Sequence, residues 1–271
     1  MDVSKVPRFF MPDNENTKQI KSRQRVADHG EVFTNPREVN AMLDLVRDES
    51  FRLDSRFLEP ACGDGNFLIE ILRRKLSLLQ DVKSQTEWEF QSLIAVSSCY
   101  GIDILPDNAE ACRTRLEEYV LSQHPASERL NARSADNTIQ AKRSVVIQPA
   151  PCSVVEPMQQ RSMVDTTPPQ CVTPPGSSPY LLSLRYMLQK NIVCGDALTY
   201  RTAENKPIVF CEWTPIAGSM QFSRRDFQFD FLVTQSHQYS LFDEQGEAQS
   251  FDEPVRTYPP LHYTQLYRYD V

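Results

Sequence analysis

The chain has 271 residues and a formal net charge of −7, with 40% hydrophobic and 24% charged residues. This composition is globular, excludes a fibrous or wholly disordered chain, and suits one α/β domain with an insertion. Because no apolar run reaches about eighteen residues and no signal-peptide core follows Met1, we expect a cytoplasmic protein that does not cross a membrane.

The cysteines and the charge limit the chemistry further. The seven cysteines include no Cys-x-x-Cys pair, and the four histidines lie far apart in sequence. These spacings favour neither a zinc site nor a disulfide framework, so we predict reduced thiols and no bound metal. Since DNA-binding faces are normally basic, the acidic balance disfavours strong autonomous DNA binding.

The first part of the chain predicts parallel α/β units. Residues 1–30 are polar and predict an N-terminal arm, after which Asn35 and Pro36 are residue types that begin a helix. A short strand at 56–58, a glycine turn and a helix from about Asn66 then follow, which is the first half of such a unit.

The next elements repeat this arrangement. Residues 98–104 predict a second strand that ends at Asp103, and Pro106 opens the helix after it. Residues 31–121 therefore form the first part of the predicted core. The stretch 122–179 is rich in Pro, Ser, Thr and Gln and predicts a disordered insertion.

The remainder supplies the second part of the core, residues 180–240, followed by a C-terminal tail at 241–271. A helix is predicted at 180–188. The strands predicted here are 191–194, 207–211 and 229–233. Residues 212–215 and 258–261 contain proline beside aromatic residues, and we predict a loop and a tail there.

Two glycines mark a candidate ligand loop. Gly63 and Gly65 separate the first predicted strand from its helix, where glycine lets the backbone turn sharply and approach a ligand. In such folds an acid at the end of the next strand, here Asp103, accepts hydrogen bonds from ribose hydroxyls. Leu68 stands where a dinucleotide motif has its third glycine, which disfavours a nicotinamide cofactor.

Four segments resemble, in sequence order, those of N6-adenine-specific DNA methyltransferases of restriction–modification systems. They are GEVFTNP at 30–36, EPACGDGNF at 59–67, YGIDI at 100–104 and CGDAL at 194–198. The resemblance implies a doubly wound, Rossmann-like class I methyltransferase fold that binds S-adenosylmethionine. The residues that it places around this cofactor are Phe33, Thr34, Glu59, Ala61, Gly63, Asp64, Gly65, Asp103, Ile104, Asp196 and Ala197.

The same resemblance assigns roles to two acids. Asp103 would hold the ribose of the cofactor, and Asp196 would face its adenine. The alternative interpretation is that both carboxylates only cap the elements that follow their strands, which is common for Asp.

The catalytic motif of this family is absent from the chain. Family members carry Asp or Asn, two prolines and an aromatic residue, which hold the adenine amine and stack on the flipped base. At the expected place, after 229–233, this chain has QSHQ at 235–238. Gln235 could accept one hydrogen bond and Tyr239 could stack, so these are the catalytic candidates; alternatively the segment is an ordinary strand and loop.

The sequence therefore predicts methyl transfer from S-adenosylmethionine to adenine N6 in DNA, by an enzyme that is truncated or needs a partner. The expected partners are DNA, bound weakly alone or through a partner subunit, and a modification or restriction subunit. Three alternatives stay open: an inactive cofactor-binding or scaffold subunit of a modification complex, a protein or RNA methyltransferase, and a nicotinamide-dependent enzyme.

Overall fold

A computed structural model of the protein describes residues 34–125, 178–235 and 254–270, together with Gln24, Arg25 and Ala27. Most of the insertion predicted at 122–179 lies outside these ranges, and so do Phe33 and Tyr239. The helices are α1 (Pro36–Leu45), α2 (Arg47–Ser50), α3 (Asn66–Leu76), α4 (Gln85–Ser97), α5 (Pro106–Gln123), α6 (Pro179–Asn191) and α7 (Phe229–Gln235). The strands are β1 (Phe57–Glu59), β2 (Cys99–Asp103), β3 (Ile192–Cys194), β4 (Val209–Ile216), β5 (Gln221–Gln228) and β6 (Arg256–His262).

A parallel sheet of order β1-β2-β3 organises the fold. Its register places Leu58 opposite Tyr100 and Ile102 opposite Val193. The connections between its strands carry α3 and α4, and then α5 and α6. The predicted strand–turn–helix units are therefore confirmed, and the protein is a mixed α/β structure compatible with a Rossmann-like fold.

Local sequence explains where these helices begin. The Asn35 side chain accepts a hydrogen bond from Arg37 N and caps α1, with Pro36 in the first turn, as predicted. Ser84 caps α4 in the same way. The sequence analysis did not predict α4; its buried face mixes serine with apolar residues, so its helical hydrophobic pattern is weak.

The two faces of β2 belong to two apolar clusters. Cys99 packs in the main cluster with the helices, whereas Tyr100 and Ile102 pack in a second cluster with Phe210 and Phe229. This alternation follows from the two-residue period of a strand. All five residues of β2 are buried, because both faces of the strand are covered.

A second, antiparallel sheet of order β4-β5-β6 completes the described structure. The prediction of a loop at 212–215 and a tail at 258–261 is wrong, since these residues belong to β4 and β6. Proline is disfavoured in a central strand because it has no N–H to donate. Both strands here are edge strands, in which one side makes no backbone hydrogen bonds to a neighbour, so proline is tolerated. Tyr258, at the start of the second stretch, is buried against the core.

A buried amide joins the two sheets. The Asn191 side chain donates to the Cys99 carbonyl at 3.2 Å and accepts from the indole N–H of Trp213 at 2.9 Å. Asn191 ends α6, Cys99 begins β2 and Trp213 lies in β4. Because buried polar groups need partners, this side chain fixes how the antiparallel sheet sits beside the parallel one.

The strand predicted at 229–233 is also wrong, because these residues form α7. Phe229 and Val233, four residues apart, pack in the same apolar cluster. Phe231 and Leu232 between them remain 56% and 39% exposed. In a strand Phe231 would share one face with Phe229 and Val233, so its exposure fits the helix rather than the predicted strand.

Lys75 is a fully buried cation at the opposite end of the parallel sheet from the glycine turn. Its Nζ donates to the carbonyls of Leu53 and Ser55, at 3.2 and 2.5 Å, and to the Ser98 hydroxyl. Burial lowers the pKa of Lys75. These bonds fasten the loop before β1 to the residue that precedes β2.

Replacing Lys75 by Met should lower the free energy of unfolding by about 2–4 kcal/mol, because buried carbonyl oxygens lose their donor. Urea unfolding followed by circular dichroism measures the change. The control is Lys83→Met, which removes an exposed lysine and should change stability by less than about 0.5 kcal/mol. Equal stability of the two variants would contradict this account of Lys75.

Candidate functional site

A cavity of about 500 Å³ lies at the carboxyl ends of the three parallel strands. Ligand sites in open α/β sheets occur at this edge, and the volume is in the range of small-molecule sites. The residues predicted to bind a cofactor that line this cavity are Thr34, Glu59, Ala61, Gly63, Asp64, Asp103, Ile104, Asp196 and Ala197. Segments that are far apart in sequence therefore meet in one place.

The glycine turn is held against the end of β2. Gly63 N–H donates to Asp103 Oδ2 at 2.8 Å, and Cys62 N–H donates to the Ile102 carbonyl at 2.8 Å. Gly63 has a φ of 53°, in the left-handed region that glycine adopts at little cost. The turn therefore lies beside the acid that ends the neighbouring strand.

Gly65 is required for a different reason from the one predicted. It does not line the cavity; with a φ of +94° it precedes α3, and a Cβ at this position would lie 2.8 Å from Cys112 Sγ on α5. Glycine here allows two helices to pack closely.

Asp103 accepts three hydrogen bonds from within the chain. Besides the bond from Gly63, its Oδ1 accepts from Leu105 N–H at 2.9 Å and from the Asn108 amide at 3.3 Å. The bond from Leu105 is the capping interaction of the alternative interpretation. A carboxylate offers about four acceptor positions, so these three bonds leave one on Oδ2 for a ligand.

Asp196 lies on the far side of the same cavity. It accepts from Leu198 N–H at 2.8 Å, and this backbone hydrogen bond lowers the pKa of the Asp196 carboxyl. Asp196 is partly exposed, so it can still reach a ligand. Ile104 and Leu198, which also line the cavity, are 58% and 89% exposed, and such apolar side chains offer contacts to a planar ring.

The cavity has an acidic lining. Glu59, Asp64, Asp103 and Asp196 contribute carboxyl groups, and the described residues that line the cavity include no Lys or Arg. Burial raises the pKa of Glu59, against a smaller opposing effect of the Ala61 N–H. A cavity of this charge attracts cationic ligands and disfavours phosphates.

Asp64 is the acid that has a basic partner. Arg115 on α5 donates to the Asp64 carbonyl at 2.7 Å and approaches its carboxylate at 2.7 Å. Its other guanidinium nitrogen donates to Asn66 Oδ1 at 3.1 Å. Arg115 therefore holds the glycine turn and the first residue of α3 in place.

Asn66, Phe67 and Asn108 also line the cavity, although the sequence analysis did not assign them to the site. The sequence could have predicted Asn108 as a site residue. It lies in the first turn of the helix that follows β2, and that turn begins at the sheet edge where Asp103 lies. For the catalytic candidates, the backbone of Gln235 ends α7, and Tyr239 lies outside the described residues.

A second cavity of about 370 Å³ flanks β1 on the side of the second cluster. Leu58, Tyr100 and Phe229 are among its lining residues. At its rim, Glu212 forms ion pairs with both Arg56 and Arg225. Because these charged groups pair with one another, the polar groups available to a ligand are concentrated in the first cavity.

Three wider observations complete the description of the site. Within the part of the chain that the structure describes, no group of three His, Cys, Asp or Glu residues could hold a metal ion. No helix in the described ranges has the length and apolar character needed to cross a membrane. Comparisons with protein-family models, curated proteins and solved structures found no match.

Replacing Gly65 by Ala should lower the free energy of unfolding by about 2–4 kcal/mol, from left-handed strain and overpacking against Cys112. The matched control is Gly218→Ala, since Gly218 has a φ of +74° but nothing within 4 Å of its Cβ position. That variant should lose about 1 kcal/mol from strain alone. Adding Cys112→Ala should recover part of the Gly65→Ala loss in urea unfolding, and no recovery would contradict the packing explanation.

Proposed function

We propose that the chain is an S-adenosylmethionine-binding domain of the adenine-specific DNA methyltransferase type, with its ligand in the cavity beside Asp103. The observation that carries this proposal is convergence. The four segments that resemble this family span residues 30–198, and residues from each of them line one cavity. A chance likeness of short motifs gives no reason for them to meet.

The chemistry of the cavity fits this ligand. S-adenosylmethionine carries a sulfonium, an ammonium and one carboxylate group, which leaves it a net cation, together with two ribose hydroxyls and no phosphate. The acidic lining complements the two cations, whereas the pyrophosphate of a nicotinamide dinucleotide would lie among carboxylates. The electrostatics therefore support S-adenosylmethionine over the nicotinamide alternative.

Individual residues can be given roles in this proposal. Asp103 would accept a hydrogen bond from a ribose hydroxyl through the acceptor position that remains on Oδ2. Glu59, half-buried at the end of β1, would face the cationic part of the ligand. Asp196 would accept from the adenine amine, with Ile104 and Leu198 against the ring. When bound, the ligand supplies an electrophilic methyl group.

One observation favours a second candidate function over methyl transfer by this chain alone. The segment expected to form the strand before the catalytic motif is the helix α7, and the Pro-Pro pair is absent from 235–238. Proline fixes φ and thereby sets the carbonyl that accepts from the amine. The second candidate is a cofactor-binding subunit of a modification complex, whose partner contributes the catalytic residues.

The purified chain should bind S-adenosylhomocysteine with a micromolar dissociation constant in isothermal titration, and NADH should not compete. Asp103→Asn should weaken this binding by roughly tenfold to a hundredfold, because a charged acceptor is lost. The control is Asp81→Asn, which changes an exposed carboxylate that does not line the cavity. Preferential binding of NADH would contradict the proposal.

The purified chain alone should transfer little tritium from labelled S-adenosylmethionine to mixed-sequence DNA. Loss of one oriented acceptor at a reacting centre costs on the order of a hundredfold to a thousandfold in rate, and here the backbone behind it is also changed. Transfer that appears only with co-purified partners supports the subunit function. Robust transfer by the chain alone, abolished by Gln235→Ala or Tyr239→Ala, would refute that function and identify 235–239 as a working motif.

A further inference from the structure

Arg25 connects the N-terminal segment to the first turn of α5, beside the ligand cavity. Its guanidinium donates to both carboxylate oxygens of Asp107, at 2.8 and 3.2 Å, and to Asn108 Oδ1 at 3.2 Å. Two-pronged contact with a carboxylate suits the planar guanidinium and gives it a defined orientation. The Arg25 side chain is 26% exposed; its bonds to Asp107 lie at the surface, whereas its bond to Asn108 is partly buried.

Asn108 carries this contact into the cavity. It is only 1% exposed, lines the cavity, and donates through Nδ2 to Asp103 Oδ1 at 3.3 Å. Because Oδ1 of Asn108 faces the Arg25 donor, its Nδ2 faces the carboxylate. A continuous path of hydrogen bonds thus runs from Arg25 through Asn108 to Asp103 and on to Gly63 N–H.

The path constrains the Asp103 carboxylate. Its Oδ1 is held by Asn108 and by Leu105 N–H, so Oδ2 is the oxygen that keeps an acceptor position for a ligand. Within a partly buried network each hydrogen bond polarises the next. Removing Arg25 would take away the donor to Asn108 Oδ1 and so weaken the constraint that Asn108 places on the Asp103 carboxylate.

We propose that Arg25 is a positioning residue for ribose recognition, acting through Asn108 on the carboxylate of Asp103. This inference rests on the proposed function, because it assumes that the cavity binds a nucleoside whose ribose hydroxyls reach Asp103. It adds a residue from the N-terminal segment, 82 positions before Asp107 in sequence, to the determinants of ligand selectivity.

The test compares two ligands by isothermal titration on the full chain: S-adenosylhomocysteine and its analogue that lacks both ribose hydroxyls. Arg25→Gln should weaken binding of S-adenosylhomocysteine about tenfold, the scale of one hydrogen bond, and leave binding of the analogue within about twofold. Arg25→Lys, which keeps the charge but not the two-pronged contact, should fall between the wild type and Arg25→Gln.

The matched control is Arg185→Gln, which removes an ion pair with Glu117 on the same helix α5. It should change the affinity for neither ligand. Asn108→Ala is the second variant, and it should show the same ribose-dependent loss even if Arg25→Gln unfolds. Thermal melts establish that each variant is folded before titration.

The outcomes separate the two proposals. Failure of the wild type to bind S-adenosylhomocysteine overturns the proposed function and this inference with it. Wild-type binding with unchanged affinities in Arg25→Gln overturns the role of Arg25 alone. Equal losses for both ligands would show that Arg25 only supports the local structure, which also overturns its role in ribose recognition.

Discussion

The hydrogen bond from Gly63 N–H to Asp103 Oδ2 is the contact on which the candidate site depends. It joins the turn after β1 to the end of β2, so the two strand ends cannot separate without breaking a charge-assisted bond of 2.8 Å. The positive φ of Gly63 allows the N–H to point in this direction. The register of the sheet brings the third segment to the same place, because parallel pairing sets Cys194 opposite Asp103 and the residues after Cys194 follow beside it.

Around this contact, the protein supports the turn from the helix side. Arg115 holds Asp64 and Asn66 from α5, and Gly65 leaves room for Cys112 of the same helix. The helix that begins after Asp103 therefore holds the glycine turn and the start of α3 in place. A ligand that binds there meets a rigid acidic surface, and rigidity lowers the entropic cost of binding.

The proposed separation between ligand binding and methyl transfer corresponds to two parts of the fold. The groups that we propose to bind the cofactor lie at the ends of the parallel strands, which meet at one edge of the sheet. The segment expected to carry the catalytic motif instead forms α7, in which Phe229 and Val233 are packed in the second cluster while Phe231 is exposed. A domain that holds the methyl donor while a partner positions the base is consistent with this division.

The sequence by itself determined the parallel units, the caps at Asn35 and Pro36, and the acid at Asp103, because glycine turns, capping residues and buried strands are local signals. Only the tertiary structure decided that residues 258–261 form an edge strand, since proline is tolerated there only when the other side of the strand is unpaired. It also explains why residue 65 is glycine: a side chain there would collide with Cys112, on a helix about fifty residues later in the chain. The hydrogen-bond path from Arg25 to Asp103 could not be predicted from the sequence either, because partners that are distant in the chain produce no periodic pattern.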